Sequence, residues 1–262
     1  MVESDIIKRV RFHGRGGQGM KTASRIVGTA AFMEGYYAQD FPVYGAERRG
    51  APIMAFTRMS DSPILERGII TRPDINIIAD ETLLSDNAAN VLQGTENETV
   101  TMVNTHYSPS HVKEAFDVNG EVTTVDITET VLKIINKPAL SSVAAACACK
   151  LTGMISKNTL EKAVIRELTD IHLKRESISK NVEAALICFD NTPDITTSGI
   201  KTSEGYNGNR IVKMEYANPR VGTPSVYAMG NTIDKKTGNW RLYKPVIDYE
   251  ECSMCRACFV HC

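Results

Sequence analysis

The sequence has no excess of charge of either sign. Its 262 residues carry 30 Lys and Arg against 31 Asp and Glu, a formal net charge of −1. No whole-chain field therefore draws it to nucleic acid or to an anionic membrane surface. No uninterrupted apolar run approaches the roughly 18–20 residues of a membrane span. The first residues, Met1 to Val10, hold no apolar core of signal-peptide length. There is no Ser-His-Asp order, no pair of histidines at metal-ligand spacing and no internal repeat. Cysteine is scarce over most of the chain: of 7, only Cys147, Cys149 and Cys188 lie outside the last eleven residues. A secreted fold stapled by disulfides would spread its cysteines. With 42% apolar and 23% charged residues, the composition is globular, and the absences together predict a soluble, cytoplasmic protein. The length suits one large domain, or a medium one with an appendage.

What is present begins with alternating strands and helices over residues 1–190. The run Ile6 to Phe12 is rich in β-formers and leads through His13 into a glycine-rich turn. Beyond it Ala23, Ile26, Val27, Ala30 and Ala31 fall on one face of a helix, and Gly35 supplies a C-terminal stop. Further strands are predicted at 36–39, 53–59, 75–79, 99–103 and 121–125. Asp80 stands where it can cap a helix beginning at Glu81. From Pro138 onward the pattern is helical, over 142–154, 158–168 and 177–189. Cys147, Cys149 and Cys188 sit among Ala, Leu and Val in these helices, where small buried hydrophobes are expected and not reactive thiols. Strands alternating with helices imply an α/β, Rossmann-like doubly wound domain, its mostly parallel sheet covered on both faces. Composition shifts at 191–239 to Thr, Ser, Gly, Asn and Pro without helical period, which reads as an extended linker. A short β-like entry at 240–248 then leads into the cysteines.

Three motifs carry chemistry. Cys252, Cys255, Cys258 and Cys262 have the spacing Cys-x2-Cys-x2-Cys-x3-Cys. A tight loop of this kind brings three thiolates onto one [4Fe–4S] cluster and sends the fourth to a second cluster. Neither the usual proline nor a second copy follows Cys262, so this part reads as the start of a cluster-binding fold, truncated. Zinc prefers two separated Cys-x2-Cys pairs, and a redox dithiol would use two cysteines at most. Next, Gly14, Gly16 and Gly19 fit G-x-G-x-x-G between a strand and a helix, within Gly14-Arg15-Gly16-Gly17-Gln18-Gly19. Backbone amides and the positive end of a helix there suit a phosphate-bearing ligand. Asp40 lies at the spacing of a ribose-binding acid, which keeps NAD open; a tight turn holding no ligand is the plain alternative. His13 beside the loop faces either ligand or core. Third, Arg48 and Arg49 stand together in Glu47-Arg48-Arg49-Gly50-Ala51-Pro52. Their forks could clamp a pyrophosphate or carboxylates, or simply line a salt-bridged surface loop.

Taken together, Arg11-Phe12-His13-Gly14-Arg15-Gly16-Gly17-Gln18-Gly19 and Tyr44-Gly45-Ala46-Glu47-Arg48-Arg49-Gly50-Ala51-Pro52 resemble the gamma domain of 2-oxoacid:ferredoxin oxidoreductases, pyruvate:ferredoxin oxidoreductase above all. Gly238-Asn239-Trp240-Arg241, Lys244-Pro245-Val246-Ile247-Asp248 and the cysteines resemble the start of the ferredoxin-like delta subunit of the same enzymes. The resemblance implies a gamma domain at 1–190, a linker at 191–239 and the start of a bacterial-type ferredoxin domain (α+β) at 240–262, fused on one chain. It further implies partner alpha and beta subunits that hold thiamine diphosphate and Mg, coenzyme A as co-substrate, and ferredoxin as the one-electron acceptor. Catalytic residues for the thiamine chemistry would not lie on this chain. Gly14, Arg15, Gly16, Gly17, Gln18, Gly19, Arg48 and Arg49 would be the candidate coenzyme A contacts, and Cys252, Cys255, Cys258 and Cys262 the cluster ligands. Pyruvate is the expected oxo acid, with 2-oxoglutarate, branched and aryl 2-oxoacids as alternatives. The competing classes are an NAD-linked iron–sulfur oxidoreductase and a non-catalytic assembly subunit.

Overall fold

The computed structural model describes residues 7–43, 50–195 and 246–258. Arg48, Arg49, Cys262 and most of the expected linker lie outside the described residues.

Strand β1 (Ile7–Arg15) runs through the centre of a six-stranded sheet and extends two residues into the glycine motif. Along it Val10 and Phe12 enter the main apolar core, while Arg9, Arg11, His13 and Arg15 point to the opposite face, as a period of two requires. Helix α1 (Met20–Glu34) packs the predicted stripe, Ala23, Ile26, Val27, Ala30 and Ala31, on the apolar face and ends at Gly35 in the left-handed conformation. The edge strand β2 (Tyr37–Pro42) and then β3 (Pro52–Ser60) follow. Next come β4 (Ile75–Ile78), a 3-10 turn at Glu81–Ser85, β5 (Val100–Val103), α2 (Pro109–Phe116) and β6 (Glu121–Thr124). Four helices close the domain: α3 (Ile127–Ile135), α4 (Ser141–Thr152), α5 (Lys157–Asp170) and α6 (Arg175–Asn191).

The sheet order is β2-β3-β1-β4-β5-β6. β1, β4, β5 and β6 run parallel, as expected, but β3 is antiparallel to both β1 and β2. The fold is thus mixed α/β: the sheet is mostly parallel, as expected, with β3 reversed. Its two faces are also covered differently. Helix α4 is buried all round, because its Ala and Cys side chains are small enough to let α1 and α6 approach, and it anchors the large core. The thiols of Cys147 and Cys149 are raised by that burial, and burial pushes the Cys188 thiol up to about 11. All three are core residues.

On the other face, Leu83, Val91, Val112 and Val118 form a small apolar layer over β4 to β6. Under β1 and β3 the layer is ionic: Glu66 pairs with Arg9 and Arg58, and Asp74 accepts the Arg9 amide at 2.7 Å. No described helix is long and apolar enough to cross a membrane.

Candidate functional site

The four parallel strands end together, and the segments after them surround a cleft of about 560 Å³. Gly16, Gly17 and Gln18 form one wall, Ala79 to Thr82 another, and Asn104 to His106 with Asp126, Thr128 and Glu129 the rest. This is the carboxyl end of the sheet, between β1 and β4, where the chain leaves β1 toward one edge and later returns on its other side. Open α/β sheets bind ligands at such a reversal.

The glycine motif is held there by close packing and by side chains from its surroundings. A Cβ on Gly14 would stand 2.6 Å from Met20 Cγ, and Gly19 caps α1 at φ +85 with Ser141 Cβ 2.9 Å from where its own would be. Gln18 folds back: its Oε1 accepts the Arg15 amide at 2.7 Å and its Nε2 donates to Asp80 at 2.9 Å. Arg15 is buried. Its guanidinium donates to Thr82 Oγ1 at 2.6 Å and to the Gly50 carbonyl at 3.3 Å, and lies 3.2 Å from Asp80 Oδ2. Those donors serve the chain itself, so Arg15 braces the loop against the turn after β4. Asp80 caps that turn as expected, accepting the Thr82 amide at 3.1 Å, although the helix is only a 3-10 segment.

Two of the sequence motifs meet. The Gly16 amide donates to the Ala51 carbonyl at 2.8 Å, and the Gly50 amide donates to the Gly16 carbonyl at 3.0 Å. The segment carrying Arg48 and Arg49 is therefore tied, at its last residues, to the glycine loop. Asp40 does not join them. It lies in β2, two strands away from β1, with its carboxylate against Gly28 of α1. A ribose-binding acid has to stand beside the glycine strand, so Asp40 cannot play that part. His13 also turns away from the cleft: it is buried under the sheet, and burial together with neighbouring Arg11 pushes its pKa down to about 3. It is a neutral imidazole whose Nε2 has no hydrogen-bond partner among the described residues. Among the described residues Arg11 beside it donates to Asn76 Oδ1 and the Val91 carbonyl, and burial pulls it down to about 10.

The sequence reading missed half of the cleft. Asn104 binds the Ala79 carbonyl and the Ile127 and Thr128 amides, joining β4 to the start of α3. Asp126 caps α3 through the Glu129 amide at 2.7 Å. The legible signal was a polar residue directly after each buried strand, and an Asp three residues before a Glu at the head of an apolar run.

Cys252, Cys255 and Cys258 are all exposed and free of disulfides. The Ala257 amide and then Ser253 hold the Cys255 thiol below its ordinary pKa, and Met254 and Arg256 adopt φ of 55° and 61°. Among the described residues no three His, Cys, Asp or Glu side chains converge as metal ligands. The donor set suits an iron–sulfur group by chemistry, as accessible thiols of which Cys255 has its thiolate form stabilised.

The chain is 36% identical over 181 residues to the pyruvate synthase subunit PorC of Methanocaldococcus jannaschii, covering 69% of this chain and 94% of that one. It is 37% identical over 184 residues to the common gamma subunit of the pyruvate and ketoisovalerate oxidoreductases of Pyrococcus furiosus, covering 70% and 96%. The pyruvate oxidoreductase subunit PORC from Thermotoga maritima superposes with a TM-score of 0.60 at 30% identity, over 71% of this chain and 96% of that one. The 2-oxoglutarate:ferredoxin oxidoreductase of Magnetococcus marinus, at 18% identity and a TM-score of 0.56, shares the fold over 74% of this chain and 32% of that longer one. Residues 9–190 match the family described as pyruvate ferredoxin/flavodoxin oxidoreductase, and the chain belongs to that family.

Proposed function

We propose that this chain is the gamma-type subunit of a 2-oxoacid:ferredoxin oxidoreductase that converts pyruvate, coenzyme A and oxidised ferredoxin to acetyl-coenzyme A, CO2 and reduced ferredoxin. One observation carries the reading: a pyruvate synthase subunit and a common gamma subunit of pyruvate and ketoisovalerate oxidoreductases align over 94–96% of their own length with this domain. In this reading residues 1–190 are the gamma domain, 191–239 a linker and 240–262 the start of a ferredoxin-like domain. Alpha and beta subunits hold thiamine diphosphate and Mg, and no catalytic residue of that chemistry lies here. The displaced ribose acid removes the support for an NAD-linked reading.

The glycine loop has a defined task. Gly17 and Gly19 present backbone amides near the positive end of α1, the Gly16 amide being spent on the Ala51 carbonyl, and Gln18 and Arg15 hold the loop in shape from behind. Arg48 and Arg49, carried by the segment tied to Gly16, provide the charge for the phosphates of coenzyme A. Adjacent guanidinium forks suit such a poly-anion. Cys252, Cys255 and Cys258 would hold a [4Fe–4S] cluster, with Cys262 going to a second. The clusters supply one-electron carriers at a potential set by thiolate ligation.

The test uses the assembled complex. Arg48→Ala and Arg49→Ala are each expected to raise the Michaelis constant for coenzyme A about tenfold or more, the worth of a lost hydrogen bond to a charged group. Assembly should be intact. Unchanged constants with weakened assembly would instead mark the arginine loop as a purely structural contact.

A further inference from the structure

The cleft has an aromatic rim that the chemistry of the glycine loop leaves unused. Among the described residues His106 is the one aromatic side chain lining the cleft. Its ring lies 4.1 Å, centroid to centroid, from that of Tyr107, and Tyr107 lies 4.7 Å from His111, the planes tilted by 38° and 34°. All three residues are exposed, Tyr107 by 46%. Single exposed rings are ordinary. Three in mutual contact at the mouth of a cleft are not explained by core packing, because rings that serve a core are buried in it.

The backbone under these rings is fixed. Thr105 Oγ1 accepts the Tyr107 amide at 3.2 Å, and Ser108 Oγ accepts the His111 amide at 3.3 Å at the head of α2. Pro109 starts that helix with its φ already set. The row of rings is thus held in place by its own turn, and an open ring face takes another flat ring as a favourable partner.

Position selects which flat ring. His106 follows β5 and the glycine loop follows β1, with β4 between them, so the two stand about two strand spacings, roughly 10 Å, apart. An adenosine diphosphate reaches across such a gap from base to phosphates. The two ends of the gap are also chemically unlike. Backbone amides and the head of α1 suit phosphate at the β1 end. At the far end the charged side chains are the carboxylates Asp126 and Glu129, which repel phosphate but accept from an amino group such as that of adenine.

We infer that His106 and Tyr107 are the stacking platform for the adenine ring of coenzyme A, with His111 supporting Tyr107 from α2. The inference rests on the reading of the glycine loop and the arginine segment as the site of the phosphates, and it extends that site to the opposite end of the nucleotide. Stacking recognises a ring by its face, so these residues set the affinity for the adenosine part and take no part in the reaction of the thiol.

Steady-state kinetics of the full complex test this. Wild type is compared with His106→Ala, Tyr107→Ala and the ring-keeping His106→Phe and Tyr107→Phe. The two probes are coenzyme A and 4′-phosphopantetheine, which lacks the adenosine, the latter as acceptor or competitive inhibitor. Each alanine variant is expected to raise the Michaelis constant for coenzyme A about tenfold at unchanged kcat, the worth of one lost base stack. The constant for 4′-phosphopantetheine should not move, and the phenylalanine variants should behave as wild type. The side chains are exposed, so the urea midpoint of the chain should hold in every variant. An unchanged coenzyme A constant in both alanine variants overturns the inference. An equal rise for the two probes overturns it as well, since the rings would then act on the shape of the cleft and not on adenine. In either case a raised coenzyme A constant in Arg48→Ala would leave the phosphate reading standing by itself. Wild-type turnover indifferent to coenzyme A would remove that reading and the inference together.

Discussion

Gly14 stands where β1 passes beneath the first turn of α1, and the approach leaves no room for a methyl group. Met20, which it would strike, has no exposed surface to move into. Gly14→Ala should therefore cost about 1–3 kcal/mol, the range for overpacking a filled core, read as a lower urea midpoint at unchanged m-value. An unmoved midpoint would mean the turn is looser than its packing implies. His13 makes a prediction of the opposite kind, through its charge. Its folded pKa lies far below the ordinary 6.5, so under mildly acidic conditions the unfolded chain binds a proton that the folded chain refuses. Stability therefore falls as pH drops below 6.5 and continues to fall toward about 3, with a slope from this residue approaching about 1.4 kcal/mol per pH unit. Between pH 6.5 and 5, above the usual carboxylate range, His13→Gln should flatten the dependence seen in wild type. Equal slopes in the two proteins would place a proton or a donor on His13 that the structure does not contain. The sequence showed His13 beside the glycine loop, but not which way it points. That follows only from the alternation that puts Phe12 in the core and His13 on the opposite side.

At the scale of elements, β2 is an open edge that the chain has blunted. The Val43 amide bonds to the Met54 carbonyl, so by alternation the backbone groups of Ala38, Asp40 and Pro42 face away from β3. Pro42 has no amide to offer, and the carboxylate of Asp40 accepts from its own amide. Both are devices that discourage a further strand from pairing. Asp40→Thr with Pro42→Thr should restore two donors and produce concentration-dependent association in light scattering, where the wild-type chain stays at one size. No association would show that the flanking residues alone protect the edge. Most of the elements were legible in the sequence. The stripe from Ala23 to Ala31, the run Ile75 to Ile78 and the three C-terminal helices follow the expected periods. Helices α2 and α3 were missed because they are short, eight and nine residues, and their signals are caps instead of a long stripe: Ser108 before Pro109, and Asp126 before Glu129. The direction of β3 was not legible either, since a strand's alternation reads the same in a parallel or an antiparallel pair. That one reversal moved Asp40 to the far edge and emptied the position that a dinucleotide would need.

At the scale of the whole molecule, the sheet gathers the ends of four parallel strands into one acid-lined cleft. The glycine loop and the root of the arginine segment stand beside it. The cysteine motif was the plainest chemical signal in the sequence, because four thiols at fixed spacing have few other uses. The cleft was the least plain. Its carboxylates come from the Asp80–Glu81 and Asp126–Glu129 segments, more than forty residues apart, and only the strand order makes them neighbours. The proposed oxidoreductase reading is tested by one anaerobic measurement: reduction of a viologen dye by the native complex containing this chain, with a panel of 2-oxoacids, with and without coenzyme A. Reduction that requires both pyruvate and coenzyme A is the expected result. Reduction by NADH, with none from any 2-oxoacid, would contradict it.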